Sequence, residues 1–403
     1  MAKSAFKIVA TLFALGVIGV ALLFAVLWHE HKTGVVLPKP TGQFAVGRMI
    51  YAWVNRRETD PLAASPEAKR EVIVWIWYPA ANNGDAKPAS YLPSVWRSAL
   101  AQHSGVLMSD FFTRDLALVS AHSTSGPNVS PAQPSYPVVI MRAGSGALTA
   151  FYTTLAEDLA SHGYFVVGFD APYLTTVVVL ADGRVITRPP QDDIDSLPPP
   201  LAEHLANRLL TIWDEDIQFV VSQLQNLNTD DPTSKFTGRL DLEHLGIMGH
   251  SFGGAQALQF CHDDARCKAG INLDGAPIGS VIQDGLQQPF MFILEDISKV
   301  HAAPDKQIIA HMRSIYDRLP HGGYFVSLRG ANHFTFSDQM LIKCPLLVEL
   351  MRLAGLGRLD GQRGLAITAA YVHTFFDVYL KGEPRSQLAA ISARYPEANF
   401  QKH

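Results

Sequence analysis

Cysteine is scarce in this chain, with 3 in 403 residues, and charge is thin at 17%. So few cysteines exclude a small fold stapled by disulfides. The 33 basic and 37 acidic residues nearly cancel, leaving a formal net charge of −4. No long like-charge block occurs either, so the basic footprint of a nucleic-acid binder is missing. No period of solenoid length recurs, which excludes a repeat array. What is plentiful is apolar: 48% of the residues are hydrophobic, enough at this length to bury a large core.

Part of that apolar content stands alone at the start. Lys3 and Lys7 precede Ile8–Trp28, a run without one charge. It is long enough to span a bilayer and longer than the usual core of a signal peptide. No small-x-small cleavage site follows, because the run ends Val26-Leu27-Trp28-His29-Glu30-His31. Trp28 suits a membrane–water interface, and the two lysines favour a cytoplasmic N-terminus. The expectation is a cytoplasmic stub and transmembrane signal anchor over 1–32, with the globular part on the extracytoplasmic, periplasmic side. Secretion after signal cleavage is the alternative. Residues 33–70 read as a tether and domain entry, and 71–403 as the globular domain.

Cys261 and Cys267 flank His262-Asp263-Asp264-Ala265-Arg266, and an oxidising compartment would allow them to bridge. Metal ligation by that Cys-Asp-His group is the weaker reading, since no second ligand cluster lies nearby in the chain. Cys344 is left as a free thiol.

From residue 71 onward, strand patterns alternate with helical ones. Glu71–Pro79 is a strand ended by proline, followed by a polar loop over 80–90. Tyr91–Ser120 reads as helical and unusually apolar. Pro137–Met141 is a buried strand, a helix runs on to about His162, and Tyr164–Asp170 is the next strand. Short links between them imply a parallel, right-handed βαβ unit. Thr175–Thr187 reads as an excursion hairpin and Pro189–Pro200 as an irregular loop, the whole excursion covering about 173–200. Leu201–Asn228 is a long amphipathic helix. Later strands fall at Ala269–Asp274, Pro289–Asp296 and Gly323–Leu328, with helices near 304–318, 341–355 and 362–381.

Between them lies Leu245-Gly246-Ile247-Met248-Gly249-His250-Ser251-Phe252-Gly253-Gly254. An apolar run climbs into Gly-x-Ser-x-Gly and a helical pattern leaves it, the context of a nucleophile elbow. The flanking glycines remove Cβ atoms that would clash in so tight a turn. Ser251 would stand exposed above the sheet, with the Phe252 amide at a helix N-terminus facing a developing oxyanion. The bland reading of the stretch is a glycine-rich structural turn. The series of elements has the order of an α/β-hydrolase fold, a mostly parallel sheet with helices on both faces.

A serine hydroxyl needs a base within hydrogen-bond reach. Of the 15 histidines, His333 alone follows the last core strand, in a Gly-x-Asn-His loop; the plain alternative is a loop-packing histidine. His250 sits inside the elbow and reads as turn packing, and His262 and His321 have no strand-end context. For the acid, Asp274 and Asp296 each end a strand after the elbow helix, and residue chemistry leaves the two open. Arg142-Ala143-Gly144-Ser145-Gly146 follows an early strand and offers backbone amides. It is no phosphate-binding loop, since no Walker-type lysine follows.

These motifs resemble the plasma-type platelet-activating-factor acetylhydrolases and their bacterial relatives. The residues that carry the likeness are Trp77-Tyr78-Pro79, Gly144-Ser145-Gly146-Ala147, Asp158-Leu159-Ala160-Ser161-His162-Gly163, Gly249–Ala255, Leu273-Asp274-Gly275, and His333 with Phe336-Ser337-Asp338. They span roughly 71–340. The resemblance implies Asp274 as the acid, with Asp296 in reserve, and an oxyanion hole at the amides of Ser145 and Phe252. Arg142-Ala143-Gly144 departs from the family's usual Ser-His-Gly.

The implied activity is a serine esterase acting through an acyl-enzyme on Ser251, without metal or organic cofactor. The implied substrate is a lipid ester, a phospholipid with a short or oxidised acyl chain, met at the membrane that the N-terminal helix enters. Val106–Phe112 reads either as an interfacial patch or as core, and the excursion 173–200 as shaping the pocket. A general carboxylesterase or dienelactone-hydrolase-like enzyme on non-lipid esters is the alternative within enzymes. A catalytically inactive binding module on a membrane stalk is the alternative outside them.

Overall fold

The structure is a computed structural model describing residues 2–81, 87–190 and 193–403. The expected loops over 80–90 and 189–200 therefore lie partly outside the described residues. Among those described, the main sheet has ten strands. They are β1 (Ala45–Thr59), β2 (Lys69–Ala80), β3 (Thr124–Ser125), β4 (Tyr136–Arg142), β5 (Phe165–Asp170), β6 (Leu240–His250), β7 (Cys267–Leu273), β8 (Phe290–Leu294), β9 (Gly323–Leu328) and β10 (Ala398–Lys402). Their spatial order is β10-β9-β8-β7-β6-β4-β5-β2-β1-β3. The strands from β9 through β5 run parallel, while β10 and β2 pair antiparallel with β9 and β5.

Period-two alternation sends successive side chains to opposite faces, and here both faces are dry. On β4, Val139 and Met141 join one core and Val138 and Ile140 the other. The first face is covered by α3 (Thr153–Ser161) and α8 (Gly361–Leu380), the second by α4 (Pro199–Thr229), α5 (Phe252–Asp263) and α6 (Ala303–Tyr316). Burial on both sides explains why the central strands read as unbroken apolar runs. This is the α/β-hydrolase architecture expected from the sequence.

Several stretches differ from expectation. Residues 33–70, read as a tether, carry β1, which pairs along its length with β2. Its outer half alternates half-buried and exposed side chains, so it lacks the apolar density that marks the core strands. The long helix expected over 91–120 is confined to α2 (Ser94–His103), with short 3₁₀ turns after it. At the other end, α9 (Ser386–Arg394) and the edge strand β10 extend the fold beyond the last expected helix. Val106 and Phe111 are exposed rather than core, while Met108 and Phe112 are half-buried.

The helix α1 (Ala2–His31) contains a 26-residue segment, Phe6–His31, apolar and long enough to cross a membrane. Its last turn is fastened to the domain. The Glu30 carboxylate accepts the Leu346 N–H at the start of α7 (Pro345–Leu353), and His31 Nδ1 lies 2.7 Å from the Thr113 carbonyl. Cys261 and Cys267 form a disulfide that ties the end of α5 to the start of β7, and Cys344 is a buried free thiol.

Candidate active site

Ser251 occupies the N-cap of α5 with φ 56° and ψ −125°, a backbone region that side-chain-bearing residues rarely enter and that stores strain. The strain falls on the serine, and the flanking glycines provide room. A Cβ on Gly249 would come within 1.9 Å of the Gly253 carbonyl, and one on Gly253 within 2.4 Å of the Arg142 carbonyl. The elbow is thereby locked between β6, β4 and its own helix.

The turn after β7 is built against it. Buried Asn272 accepts the Gly275 N–H and donates to the Gly275 carbonyl, holding Asp274 at φ 54°. A Cβ on Gly275 would meet the Ser251 carbonyl at 2.1 Å. Asp274 Oδ1 accepts the Glu295 N–H at 3.0 Å, and Asp274 Oδ2 lies 2.7 Å from His333 Nδ1. His333 opens a 3₁₀ turn after β9, capped by Asn332, whose side chain accepts the Phe334 N–H.

Asp296, the reserve acid, is engaged elsewhere. Its Oδ1 accepts from the Ser298 amide and hydroxyl, and its Oδ2 from the Gly330 N–H. Burial pushes its carboxyl up, but those donors outweigh it and hold the group below the usual carboxylate range. The two oxygens tie the turn after β8 to the turn after β9, and the carboxylate that reaches His333 is that of Asp274.

His250 does more than pack a turn. Its Nδ1 lies 2.8 Å from the Tyr152 hydroxyl and its Nε2 2.8 Å from the His333 carbonyl, with the two imidazole rings 4.5 Å apart. Burial, then the neighbouring His333, keeps it well below the usual histidine range and so neutral. It links the elbow, the segment before α3 and the His333 loop.

In the early loop the Gly144 N–H donates to the Tyr152 hydroxyl and the Gly146 N–H to the Leu174 carbonyl. Among the described residues, the amides of Ser145 and Phe252 have no acceptor of this kind, and both residues line the same cavity as Ser251. Arg142 points away from that cavity. Its guanidinium donates to Gln256 on α5 and to the Phe169 carbonyl, and stacks over the Phe169 ring. The departure from the family's usual tripeptide therefore braces the elbow helix from beneath.

The cavity holds about 530 Å³ and brings Ser145, Ser251, Phe252, Asp274 and His333 together. Its apolar wall comes from Ile278, Ile297, Val300 and the α6 residues Ile308, Ile309 and Met312. The excursion hairpin forms as expected, with Val177–Val179 antiparallel to Val185–Thr187. Among the described residues, however, the excursion contributes only Ile194 to the cavity. It acts on the early loop instead, through Arg188 Nη1, which donates to Ser145 Oγ at 2.9 Å. The sequence signal for the wall was the i, i+4 pair Ile308 and Met312, with Ile309 beside it, on α6.

Glu295, beside Asp274 in the chain fold, also lines the cavity. Burial, then the Asp274 charge, raises its carboxyl to about 7.

The sheet, the elbow and this constellation define an α/β-hydrolase with a candidate Ser-His-Asp site. The family model described as platelet-activating factor acetylhydrolase, isoform II, matches residues 30–171 and 209–384. The chain belongs to that family. It is 27% identical over 277 residues to a probable 1-alkyl-2-acetylglycerophosphocholine esterase of Arthroderma benhamiae, covering 66% of each chain. It is 24% identical over 265 residues to a platelet-activating factor acetylhydrolase of Cavia porcellus, covering 61% of this chain and 58% of that one. The chain thus matches about six tenths of the length of these relatives. Among solved structures, the ferulic acid esterase of Streptomyces cinnamoneus is similar with a TM-score of 0.75 and 26% identity, over 92% of this chain and all of that one.

Proposed function

We propose that this protein is a serine esterase that hydrolyses carboxylic esters through an acyl-enzyme on Ser251, with short-acyl phospholipids as its substrate class. The observation that carries the reading is the 2.7 Å contact of Asp274 Oδ2 with His333 Nδ1 at the edge of a cavity shared with Ser251. Ser251 Oγ attacks the ester carbonyl while His333 takes its proton, and Asp274 stabilises the imidazolium so formed. The amides of Ser145 and Phe252 receive the oxyanion. His333 then protonates the leaving alcohol, and water releases the acid from Ser251 by the same steps in reverse. None of these steps calls on a metal or an organic cofactor.

The names of the acetylhydrolase relatives and the apolar wall of the cavity support an acyl-lipid substrate. The expected partner is a membrane. Its supports are the apolar α1, its attachment through Glu30 and His31, and the exposed Val106 and Phe111 near that end. An anchored domain on the extracytoplasmic side fits the Cys261–Cys267 disulfide; secretion after cleavage of α1 is the other outcome. The likeness to a ferulic acid esterase favours a second reading, hydrolysis of non-lipid esters. A hydrolysis panel separates the two. Short-acyl phospholipids turned over faster than simple and feruloyl esters support the first, and the reverse order replaces it by the second.

A further inference from the structure

Outside the cleft, a second cavity of about 330 Å³ lies between α3, α8 and the segment 38–41, and no residue lines both cavities. Asp158 near the end of α3, His162 at its C-cap and His373 on α8 converge there, each with one ligand atom within 4.8 Å of the others. Asp158 Oδ2 is 2.9 Å from His373 Nδ1 and 4.0 Å from His162 Nε2. The two imidazoles stack with centroids 3.9 Å apart. Thr41 Oγ1 sits 2.7 Å from Asp158 Oδ1 and 2.9 Å from His162 Nε2.

We propose that Asp158, His162 and His373 form a binding site for one transition-metal dication of the zinc class, with Thr41 or water in the fourth position. Two imidazole nitrogens and one carboxylate oxygen are the set such ions prefer. Tetrahedral bonds of about 2.0–2.1 Å put neighbouring donors about 3.3 Å apart, and the observed 2.9 and 4.0 Å bracket that spacing. One carboxylate charge and two neutral rings suit a dication.

In the metal-free protein the same groups satisfy one another. His373 Nδ1 lies 2.9 Å from Asp158 Oδ2; on binding an ion the neutral His373 ring carries its proton on Nε2, and a metal–nitrogen bond at Nδ1 takes the place of the contact with Asp158. Since Thr41 belongs to the segment leading from α1 and His373 to α8, the ion would clamp the entry of the chain to the domain. The role is structural.

The full-length protein, stripped with a chelator and desalted, should bind one equivalent of Co²⁺, with the intense visible absorption of a tetrahedral site, and Zn²⁺ should displace it. Zn²⁺ should also raise Tm. His373→Gln and His162→Gln, each checked for native circular dichroism, should weaken Co²⁺ binding by more than about a hundredfold, since even the partners of metal ligands are worth 10–100-fold. Ester hydrolysis by both variants should stay near that of the parent, so the result does not depend on the proposed activity. Absence of a tetrahedral Co²⁺ spectrum, or equal binding by parent and variants, would overturn the site.

Discussion

Replacing Asp274 by Asn tests the assignment of the acid at nearly constant volume. The Asn carbonyl can still accept the Glu295 N–H that Asp274 Oδ1 now accepts. The other position then becomes an NH₂ group facing His333 Nδ1, where a carboxylate oxygen sits at 2.7 Å. A donor there favours the tautomer that carries its proton on Nε2, so the atom meant to take the Ser251 proton is already occupied. A wrong tautomer of this kind lowers kcat by about 10⁴ in a serine protease triad, which is about 5.4 kcal/mol of barrier at 1.36 kcal/mol per decade. Asp296→Asn disturbs only the Ser298 and Gly330 donors. It should cost about 1.5–3 kcal/mol of stability, the scale of hydrogen bonds to a charged group, and leave turnover within a few-fold. The assay is saturating turnover of a short-chain nitrophenyl ester by both variants, with denaturant midpoints alongside. Near-parental turnover by Asp274→Asn, with collapse in Asp296→Asn, would refute the reasoning.

Three further outcomes follow from other parts of the molecule. Ile309→Trp should fill the apolar wall and lower kcat/KM for octanoyl relative to acetyl esters by about tenfold, the usual reach of hydrophobic pocket discrimination; an unchanged chain-length profile would show that the acyl chain lies elsewhere. Glu295 rises from an ordinary 4.5 to about 7 in the folded protein. The folded state therefore binds its proton more tightly, and this contribution to stability is full below about 4.5 and lost as pH rises through about 7. The Tm of Glu295→Gln should accordingly gain on the parent between those pH values, and a constant offset would contradict the assignment. Removing the Cys261–Cys267 disulfide as a double alanine variant should cost about 2 kcal/mol, the loop-entropy value for so short a loop. Equal unfolding midpoints for parent and variant would show that the bridge adds nothing.

The elbow was legible because its logic is local: an apolar strand, two glycines with no room for Cβ, and a helix start lie within a dozen residues. The strand–helix alternation was legible for a related reason, since burial on both faces leaves dense apolar runs. β1 escaped because half of its side chains face partly to solvent and it lies in a stretch punctuated by Pro and Gly. The choice between Asp274 and Asp296 was not local either. What bears on it is set by distant partners: Ser298 and Gly330 occupy the Asp296 carboxylate, and Asn272 fixes the turn from which Asp274 reaches His333. The same holds for His250, whose partners Tyr152 and His333 are far away in the chain. The α6 share of the pocket wall was not legible, because its side chains sit on an ordinary-looking helix.

The central claim is that Ser251 is the nucleophile. Incubation of the purified full-length protein with a fluorophosphonate, followed by peptide mass mapping, tests it most directly. One covalent adduct should form, on Ser251, with ester hydrolysis lost in proportion to labelling and neither seen in Ser251→Ala. An unlabelled Ser251 in a protein that still hydrolyses esters would contradict it.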